Sequence, residues 1–350
     1  MSEATKICLS DFTLDALSAY LVSLGQPKFR AKQIFKWLHQ KLVTDFSQMT
    51  DQPKALLAQL AENCTIAAPT IRRRQQSKDG TVKYLLQLAD GNCIETVLMR
   101  YKYGNTVCVS TQVGCAMGCT FCSTGGLGFT RNMSMGEILG QLQAARTWLG
   151  DDLPERPIIR NLVYMGMGEP LLNLPQVMRS LQTLHHPRGL NFSARRITVS
   201  TCGIEHGLRE LGESGLAYLA VSLHAPTQEL RARLMPKAAR WPLDELVTAL
   251  ESYPLKTRER ITLEYLVIGG VNDGPEQARQ LVRLCSRLKA KLNLIPYNPT
   301  PGSAYRPPTP ESLLAFEKML WDKHVTAIVR KSKGQDIEAA CGQLRAALRD

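Results

Sequence analysis

Several features are missing from this 350-residue chain, and each absence excludes a class of protein. No apolar run approaches the roughly 20 residues that cross a bilayer, so we expect no membrane span. Residues 1–14 are polar, so we expect no secretory leader and no framework of structural disulfides. No repeat of 20–50 residues and no low-complexity tract is visible, which is not the pattern of a repeat protein.

Acidic residues are also too few to balance the basic ones. The chain has 43 Lys and Arg against 31 Asp and Glu, a formal net charge of +12. This excess indicates a polyanionic partner, most simply nucleic acid, although a generally basic surface is an equal alternative on composition alone. The hydrophobic content of 44% supports a proper core, and the length suits one large domain plus a small one.

The ten cysteines indicate metal or redox chemistry in a reducing cytosol. Cys115, Cys119 and Cys122 have the spacing C-x3-C-x2-C in a Gly-rich loop. Three thiolates can hold an iron–sulfur cluster, and a cluster of four irons then keeps one iron open for a small molecule. The spacing is typical of radical S-adenosylmethionine (SAM) enzymes, in which the open iron binds the amine and carboxylate of SAM.

A structural zinc site is the main alternative for these cysteines. Zinc usually takes four protein ligands, commonly as two C-x2–4-C pairs. No fourth Cys or His lies near the three in sequence, and the closest is Cys108. The spacing therefore favours a cluster over zinc.

The chain divides into three predicted segments. Residues 1–68 predict a small helical domain, whose second helix carries a cationic face that is either a solvated surface or an RNA contact. Residues 69–104 predict a β-hairpin extension, because Asp79-Gly80 and Asp90-Gly91 are turn signals between apolar runs. Residues 105–350 predict the catalytic core. The cationic face consists of Lys28, Arg30, Lys32 and Lys36.

Strands and helices alternate in the core, which indicates a parallel sheet. Ser134 and Glu137 form a predicted capping box at the start of the first helix. Six β–α units predict an α/β fold with a partial (β/α)6 TIM-like barrel, where chemistry gathers at the C-terminal ends of the strands. The predicted strands are 106–112, 161–167, 196–201, 218–224, 261–267 and 291–296, with 326–331 near the end.

Polar residues follow several of these strands. Taken singly, each is an ordinary cap or turn residue, but together with the cysteine loop they outline a SAM pocket. Cys341 and Cys108 also stand out, although a buried, inert thiol is the usual state of free Cys. The strand-end residues are Gly166-Met167-Gly168-Glu169-Pro170, Ser200, Ser222-Leu223-His224 and Asn298.

These residues lie in motifs that resemble the RlmN/Cfr family of radical SAM RNA methyltransferases over nearly the whole chain. The motifs are 94–97, 108–115, the cysteine loop, 166–170, 222–226, 270–273 and 336–344. The resemblance implies a 4Fe-4S cluster on Cys115, Cys119 and Cys122. It also implies that Cys341 is methylated, that Cys108 resolves the intermediate and that Glu95 accepts a proton. The implied SAM contacts are Gly168, Glu169, Ser200, Ser222, Leu223, His224 and Asn298.

The resemblance also implies a reaction that uses two SAM molecules. Carbon 2 of adenine is electrophilic, so it cannot attack the methyl group of SAM. Instead the Cys341 thiolate takes a methyl group, and a deoxyadenosyl radical from the second SAM removes hydrogen from it. The resulting methylene radical adds to adenine, and Glu95 assists proton loss. Cys108 then attacks the sulfur of Cys341, which leaves a disulfide that an external, flavodoxin-type donor must reduce.

The implied substrates are an adenine in the peptidyl transferase region of 23S rRNA and adenine 37 of tRNA. Either base must be unpaired or flipped out. The candidate phosphate contacts are the cationic face together with Arg72, Arg73, Arg74, Arg195 and Arg196.

The motif Gly168-Glu169-Pro170 and residues 298–302 favour the carbon-2 branch of the family over the Cfr-type carbon-8 branch. Lys237-Ala238 departs from the family pattern, which usually has Ile-Asn or Val-Asn there, and this puts local SAM or RNA contacts in doubt. The alternatives from other classes are a zinc-containing RNA-binding protein without catalysis and a radical SAM enzyme with another substrate. We expect a cytoplasmic monomer with no membrane partner.

Overall fold

The computed structural model describes residues 6–149 and 159–346 of the chain. A helical unit with its own core precedes residue 67. Its buried residues include Leu17, Leu21, Ile34, Phe35 and Leu60, which lie on facing sides of the helices. The elements are β1 (Ile7–Cys8), α1 (Leu14–Ser23), α2 (Phe29–His39), α3 (Lys54–Asn63) and β2 (Cys64–Thr65), with β1 and β2 paired in parallel.

A three-stranded antiparallel extension follows, as the turn signals predict. It consists of β3 (Thr70–Gln76), β4 (Val82–Gln87) and β5 (Cys93–Met99). Gly80 and Gly91 close the two turns, since their N–H groups donate to the carbonyls of Ser77 and Leu88. Both glycines have positive φ, which only glycine adopts without strain. β3 is the exposed edge of the sheet, and Arg72, Arg73 and Arg74 lie on it.

The core continues the same sheet with parallel strands. The strands of this sheet lie side by side in the order 70–76, 82–87, 93–99, 105–108, 159–164, 197–201, 218–222, 261–267, 290–296 and 327–329, and neighbouring strands from 105–108 onward are parallel. The parallel strands are β6 (Asn105–Cys108), β9 (Ile159–Tyr164), β10 (Ile197–Thr201), β11 (Tyr218–Ser222), β12 (Ile261–Val267), β13 (Ala290–Pro296) and β14 (Ala327–Val329). Two further strands, β7 (Gln112–Gly114) and β8 (Phe129–Asn132), pair with each other outside this sheet.

Helices connect the parallel strands and cover the sheet. They are α4 (Ser123–Gly126), α5 (Met135–Leu149), α6 (Leu174–His185), α7 (Glu205–Ser214), α8 (Gln228–Leu234), α9 (Leu243–Glu251), α10 (Pro275–Ser286) and α11 (Pro310–Trp321). The predicted α/β class and partial (β/α)6 barrel are confirmed, and β14 adds a seventh parallel strand. In residues 6–149 and 159–346, no helix has the length and apolar character needed to cross a bilayer.

The first predicted core strand, 106–112, differs from the structure. The parallel strand β6 ends at Cys108, and Gln112 already belongs to β7, which pairs with β8 in a separate antiparallel ribbon. The N–H groups of Thr111 and Gln112 both donate to the carbonyl of Met167. This contact bends the backbone out of the sheet, and the local pattern of apolar residues does not encode a bend imposed by a distant turn.

The capping box at the start of α5 is confirmed. The Oγ of Ser134 accepts the N–H of Glu137 at 3.2 Å, and the Glu137 carboxylate accepts the N–H of Ser134 at 2.9 Å. Arg131 adds two hydrogen bonds of 2.8 Å to the same carboxylate. These contacts fix the exit of the cysteine-bearing segment against the barrel.

Candidate active site

A cavity of about 200 Å³ lies at the C-terminal ends of the parallel strands. Two loops close it, and we name them the cysteine loop (residues 115–122) and the C-terminal loop (residues 330–346). Most of the site residues expected from the sequence line this cavity. They are Cys108, Cys115, Cys119, Cys122, Gly168, Glu169, Ser200, Ser222, His224 and Cys341.

The cysteine loop is held by backbone contacts on both sides. The N–H of Cys115 donates to Gly128 O at 2.7 Å, and the N–H of Thr120 donates to Leu234 O at 3.0 Å. A side chain at Gly125 would place its Cβ 2.8 Å from the nitrogen of Cys119, so only glycine lets α4 pack this closely. The loop therefore presents its thiols to the cavity from a rigid support.

Burial makes these thiols hard to ionise without a cationic ligand. It raises the pKa of Cys115 to about 11 and also raises the pKa values of Cys119 and Cys122, with a further contribution from other cysteines of the loop at Cys115 and Cys119 and from Cys341 at Cys122. Iron supplies the positive charge that offsets this cost, since thiolates are its natural ligands in clusters. The donor set therefore fits a 4Fe-4S cluster.

The distances between the side chains help to distinguish a single zinc ion from an iron–sulfur cluster. Within residues 6–149 and 159–346, no three His, Cys, Asp or Glu side chains lie close enough to hold one metal ion. A mononuclear zinc site needs all of its ligands around one ion. A cluster distributes three thiolates over three irons and does not need that closeness.

Arg231 lies behind the cysteine loop and was not anticipated from the sequence. Its guanidinium is fully buried and donates to the carbonyl of Cys202 at 2.6 Å and to those of Ser222 and Leu223 at 3.4 Å. It thereby ties the ends of β10 and β11 together, and its charge opposes the raised pKa of Cys119. Arg231 stands among charged residues of α8, so its sequence environment resembles a solvated helix.

The turn after β9 is shaped by its neighbours. Gly168 has a φ of 101°, and a Cβ there would lie 2.6 Å from the Cβ of Gln112. The carboxylate of Glu169 accepts N–H groups from Leu171 at 3.0 Å and from Cys202 at 2.8 Å. Burial raises the pKa of Glu169. This acid joins the ends of β9 and β10 while one side of it faces the cavity.

Polar groups at the ends of β10 and β11 form the opposite wall. The hydroxyls of Ser200 and Ser222 lie 3.4 Å apart. The Nδ1 of His224 accepts the N–H of Leu266 at 3.0 Å, and burial lowers the pKa of this imidazole to about 3. His224 is therefore neutral and carries its proton on Nε2. Leu223 is buried beside it without lining the cavity.

Cys341 and Cys108 both line the cavity. Cys341 is exposed on the C-terminal loop, Cys108 is buried at the end of β6, and both are free thiols. Burial raises the pKa of Cys108 to about 12, and the charge of Cys341 adds to this effect. The C-terminal loop also contacts the cysteine-bearing segment directly, since the N–H of Ser123 donates to Gly342 O at 2.7 Å.

Two charged residues of the cavity were not anticipated from the sequence. Arg330 follows β14, and the charge of Cys341 is the main cause of its raised pKa. Glu264 lies buried on β12, where burial raises its pKa and the amide of Asn293 donates to it at 3.2 and 3.3 Å. The sequence signal for Glu264 was a single acid within an apolar strand.

Glu95 and Asn298 support the C-terminal loop and do not line the cavity. The Oε2 of Glu95 accepts the N–H groups of Arg345 at 2.7 Å and Ala346 at 3.2 Å, and its Oε1 lies 3.1 Å from Lys83 Nζ. The amide of Asn298 donates to Cys341 O at 3.3 Å. The reason is that the polar atoms of both side chains are engaged by the backbone of the C-terminal loop.

A further anchor joins the loop to the β-extension. The Oγ of Ser77 donates to the Asp336 carboxylate at 2.6 Å, and the N–H of Lys78 donates to it at 3.1 Å. The Nζ of Lys83 donates to Glu338 O at 3.0 Å. The extension therefore positions the segment that carries Cys341.

The basic residues singled out in the sequence lie in different places. Arg195 and Arg196 precede β10, at the N-terminal end of the parallel strands and opposite the cavity, so we do not retain them as RNA contacts.

Lys237, part of the departure from the family pattern, is exposed beside the cysteine loop. Its Cε lies 3.9 Å from the position of a Cβ at Gly118, and its charge opposes the raised pKa of Cys115.

Comparison with known proteins gives consistent matches. Residues 7–66 match the ribosomal RNA large subunit methyltransferase N-terminal domain, and residues 109–282 match the radical SAM superfamily. The chain is 64% identical over 342 residues to the dual-specificity RNA methyltransferase RlmN of Nitratidesulfovibrio vulgaris (strain DP4), covering 96% of this chain and 94% of that one. It is 55% identical to the protein of the same name from Lawsonia intracellularis, covering 94% and 93%.

The fold has a solved counterpart. A crystal structure of a radical SAM methyltransferase from Sphaerobacter thermophilus superposes with a TM-score of 0.92 at 45% identity, covering 97% of this chain and 100% of that one.

Proposed function

Because this chain belongs to the RlmN family of radical SAM RNA methyltransferases, we propose that it methylates carbon 2 of one adenine in 23S rRNA and of adenine 37 in tRNA. The observation that supports this most is the cavity that Cys341, Cys108 and the cysteine loop share. A radical SAM enzyme that acts without a methyl-carrying cysteine has no need of Cys341 on a loop anchored against the cysteine-bearing segment.

Three cysteines and the strand ends provide the cofactor sites in this proposal. Cys115, Cys119 and Cys122 would hold the 4Fe-4S cluster. When bound, the cluster and SAM supply a methyl group and, from a second SAM, a carbon-centred radical. The SAM contacts that we propose from the cavity walls are Gly168, Glu169, Ser200, Ser222 and His224, with Leu223 and Asn298 behind them.

Cys341 is the proposed methyl acceptor. Its thiolate would attack the methyl carbon of SAM, so that a bond from the Cys341 sulfur to carbon forms as the bond from the SAM sulfur breaks and S-adenosylhomocysteine leaves. The loop position gives Cys341 exposure, and Arg330 supplies a facing positive charge. Exposure and a nearby positive charge are both typical of a nucleophilic cysteine sulfur.

Cys108 is the proposed resolving thiol. Its pKa of about 12 keeps it protonated at neutral pH, so it does not compete with Cys341 for the methyl group of SAM. After the base has been modified, the Cys108 sulfur attacks the Cys341 sulfur. A disulfide forms, the bond from Cys341 to the transferred carbon breaks with its electron pair left on that carbon, and the carbon takes up the proton given up by Cys108 to become the methyl group of the released RNA. An external two-electron reductant must then restore both thiols.

Glu95 is the proposed proton acceptor for the modified base. Its carboxylate now accepts the N–H groups of Arg345 and Ala346. The role therefore requires that the C-terminal loop shift when adenine enters. Such a shift is compatible with a loop that carries the methyl group toward an incoming base.

Basic residues on two exposed elements are the proposed phosphate contacts. Lys28, Lys32 and Lys36 lie four residues apart on the exposed side of α2. Arg72 and Arg73 lie on the exposed strand β3. Binding through such contacts weakens as salt is added, because the logarithm of the binding constant falls linearly with the logarithm of the salt concentration. We further propose that the protein acts as a monomer in the cytoplasm, where both RNAs occur.

Mass spectrometry of nucleosides from rRNA and tRNA tests the proposal. The gene, or its Cys341→Ala variant, is expressed in a strain that lacks its own adenine C2 methyltransferase. We expect 2-methyladenosine in both RNAs with the unsubstituted protein and none with the variant. An 8-methyladenosine product would assign the protein to the Cfr-type branch, and no methylated adenine in either RNA would refute the proposed function.

A further inference from the structure

We propose that Tyr103, in the turn between β5 and β6 that contacts the cavity-lining residues Met99 and Lys333 through Tyr101, is a stacking platform for the RNA base next to the target adenine. The proposal rests on the proposed function and adds a specific contact to it. Tyr103 is 62% exposed, which is unusual for a large aromatic side chain beside a reaction cavity.

Tyr103 belongs to a stacked pair. The rings of Tyr101 and Tyr103 are 5.0 Å apart between centroids and lie within 9° of parallel. The turn that carries them is closed by the N–H of Gly104, which donates to Tyr101 O at 3.1 Å. Gly104 has a φ of 123°, and a Cβ there would clash with the side chain of Arg160. The chain therefore holds the two rings in register without help from a ligand.

The inner ring connects the pair to the cavity wall. Tyr101 packs against the core, and its hydroxyl donates to the sulfur of Met99 at 3.7 Å. Met99 lines the cavity. One face of Tyr103 is thus covered by Tyr101, and the other is open to solvent. An ordered ring with one open face is the form in which proteins stack unpaired bases.

Cations surround this pair on the cavity side. The Nζ of Lys333 lies 5.5 Å from the centroid of the Tyr101 ring, and both Lys333 and Arg330 line the cavity with Cys341. Burial raises the pKa of Tyr103, and the charges of Arg330 and Lys333 oppose that rise, so both cations act on this ring. An aromatic face for a base beside cations for phosphates is the usual arrangement for single-stranded nucleic acid.

The proposed reaction requires an RNA base to leave its stack, and a stacking platform would stabilise the base that stays behind. The target adenine must leave its stack to reach Cys341. The neighbouring base then loses a stacking partner, and the exposed ring of Tyr103, stacked on Tyr101 beside the cavity-lining Lys333, offers a new one. A ring at this position replaces the lost contact without reading the sequence, which suits an enzyme with two different RNA substrates.

Binding of an RNA with a fluorescent base tests the proposal. The probe is a tRNA anticodon stem–loop with 2-aminopurine next to adenine 37, and the protein is the cluster-loaded full chain. We expect Tyr103→Ala to raise the Kd about 5- to 150-fold and to abolish quenching of 2-aminopurine, in line with the stacking contribution of one base. Tyr103→Phe keeps the ring and is expected to bind like the unsubstituted protein.

Two further variants separate stacking from charge and from general loss of an aromatic residue. Tyr218→Ala removes a tyrosine that is 36% exposed at the start of β11, three strands away from β6 in the sheet, and should change nothing. Lys333→Met should reduce the slope of log K against log salt by about one, whereas Tyr103→Ala should leave that slope unchanged.

Different results would refute the stacking platform and the proposed function. If the unsubstituted protein methylates the RNA but Tyr103→Ala binds and quenches normally, the platform is refuted and the proposed function stands. A fall in the salt slope with Tyr103→Ala would also refute stacking. If the unsubstituted protein neither binds nor methylates either RNA, the proposed function fails and the platform fails with it.

Discussion

Arg330 and Cys341 face one cavity, and the charge of Cys341 is the main reason that the pKa of Arg330 lies above its ordinary value. Arg330 thereby places a positive charge beside the exposed sulfur of Cys341. Arg330 leaves the sheet directly after β14, so the last parallel strand positions a positive charge beside the proposed methyl acceptor.

Replacement of Arg330 tests this pairing. We expect Arg330→Met to slow alkylation of Cys341 by iodoacetamide at pH 7 by about tenfold, since the thiolate loses its facing cation. Arg330→Lys keeps the charge and should recover much of the rate. Equal alkylation rates in all three proteins would show that Arg330 does not act on Cys341.

The anchor between the β-extension and the C-terminal loop should control the order of that loop. Asp336→Asn weakens the hydrogen bonds from Ser77 Oγ and Lys78 N–H, because a neutral amide is a poorer acceptor than a carboxylate. We expect trypsin to cleave after Lys333 several times faster, and methyl transfer to RNA to fall about tenfold. Asp322→Asn, at the exposed end of α11, is the matched control. Unchanged cleavage in Asp336→Asn would refute the anchor.

Lys237 should influence the reduction potential of the 4Fe-4S cluster that we propose for the cysteine loop. A nearby positive charge favours the reduced, more negative state, so we expect Lys237→Gln to shift the midpoint potential to more negative values. Redox titration followed by electron paramagnetic resonance measures the shift. Lys318→Gln, on α11, controls for a change in net charge. A potential that is the same in both variants would mean that Lys237 is remote from the cluster.

His39 should make the helical unit less stable in acid. Burial lowers its pKa to about 4, against an ordinary value of 6.5. The unfolded state therefore binds more protons between these pH values, and stability falls as the pH drops from 6.5 toward 4, by up to about 1.4 kcal/mol per unit. Hydrogen exchange of α2 amides, corrected for the intrinsic effect of pH, measures this.

A histidine substitution isolates the contribution of His39. His39→Gln should flatten the pH dependence of exchange in α2, whereas the same change at the solvent-exposed His324 should not. A pH dependence that persists in His39→Gln would assign it to another group.

The sequence predicted what depends on local pattern and on motifs. The strand 261–267 is found with those bounds, and the other core strands shift by a few residues at their ends. The capping box of Ser134 and Glu137 and both hairpin turns are found as predicted, because each is determined within a few residues. The gathering of the cysteine loop, the strand ends and Cys341 in one cavity follows from the parallel order of the strands.

What the sequence could not show depends on contacts between distant segments. The break after Cys108 arises from a turn more than fifty residues away. The same limit applies to Glu95, which lies beneath the C-terminal loop, and to Arg231, whose buried role is set by carbonyls of two other strands. Arg330 was overlooked because a basic residue after a short strand has no distinctive pattern until Cys341 is placed beside it.

The most direct test of the central claim uses the Cys108→Ala variant with RNA under turnover conditions. If Cys341 carries the methyl group to adenine and Cys108 releases it, the variant should accumulate a covalent protein–RNA complex, and peptide mass spectrometry should locate the link at Cys341. Cys341→Ala should give neither the complex nor methylated RNA. Free methylated RNA from Cys341→Ala, or a complex linked through another residue, would contradict the account.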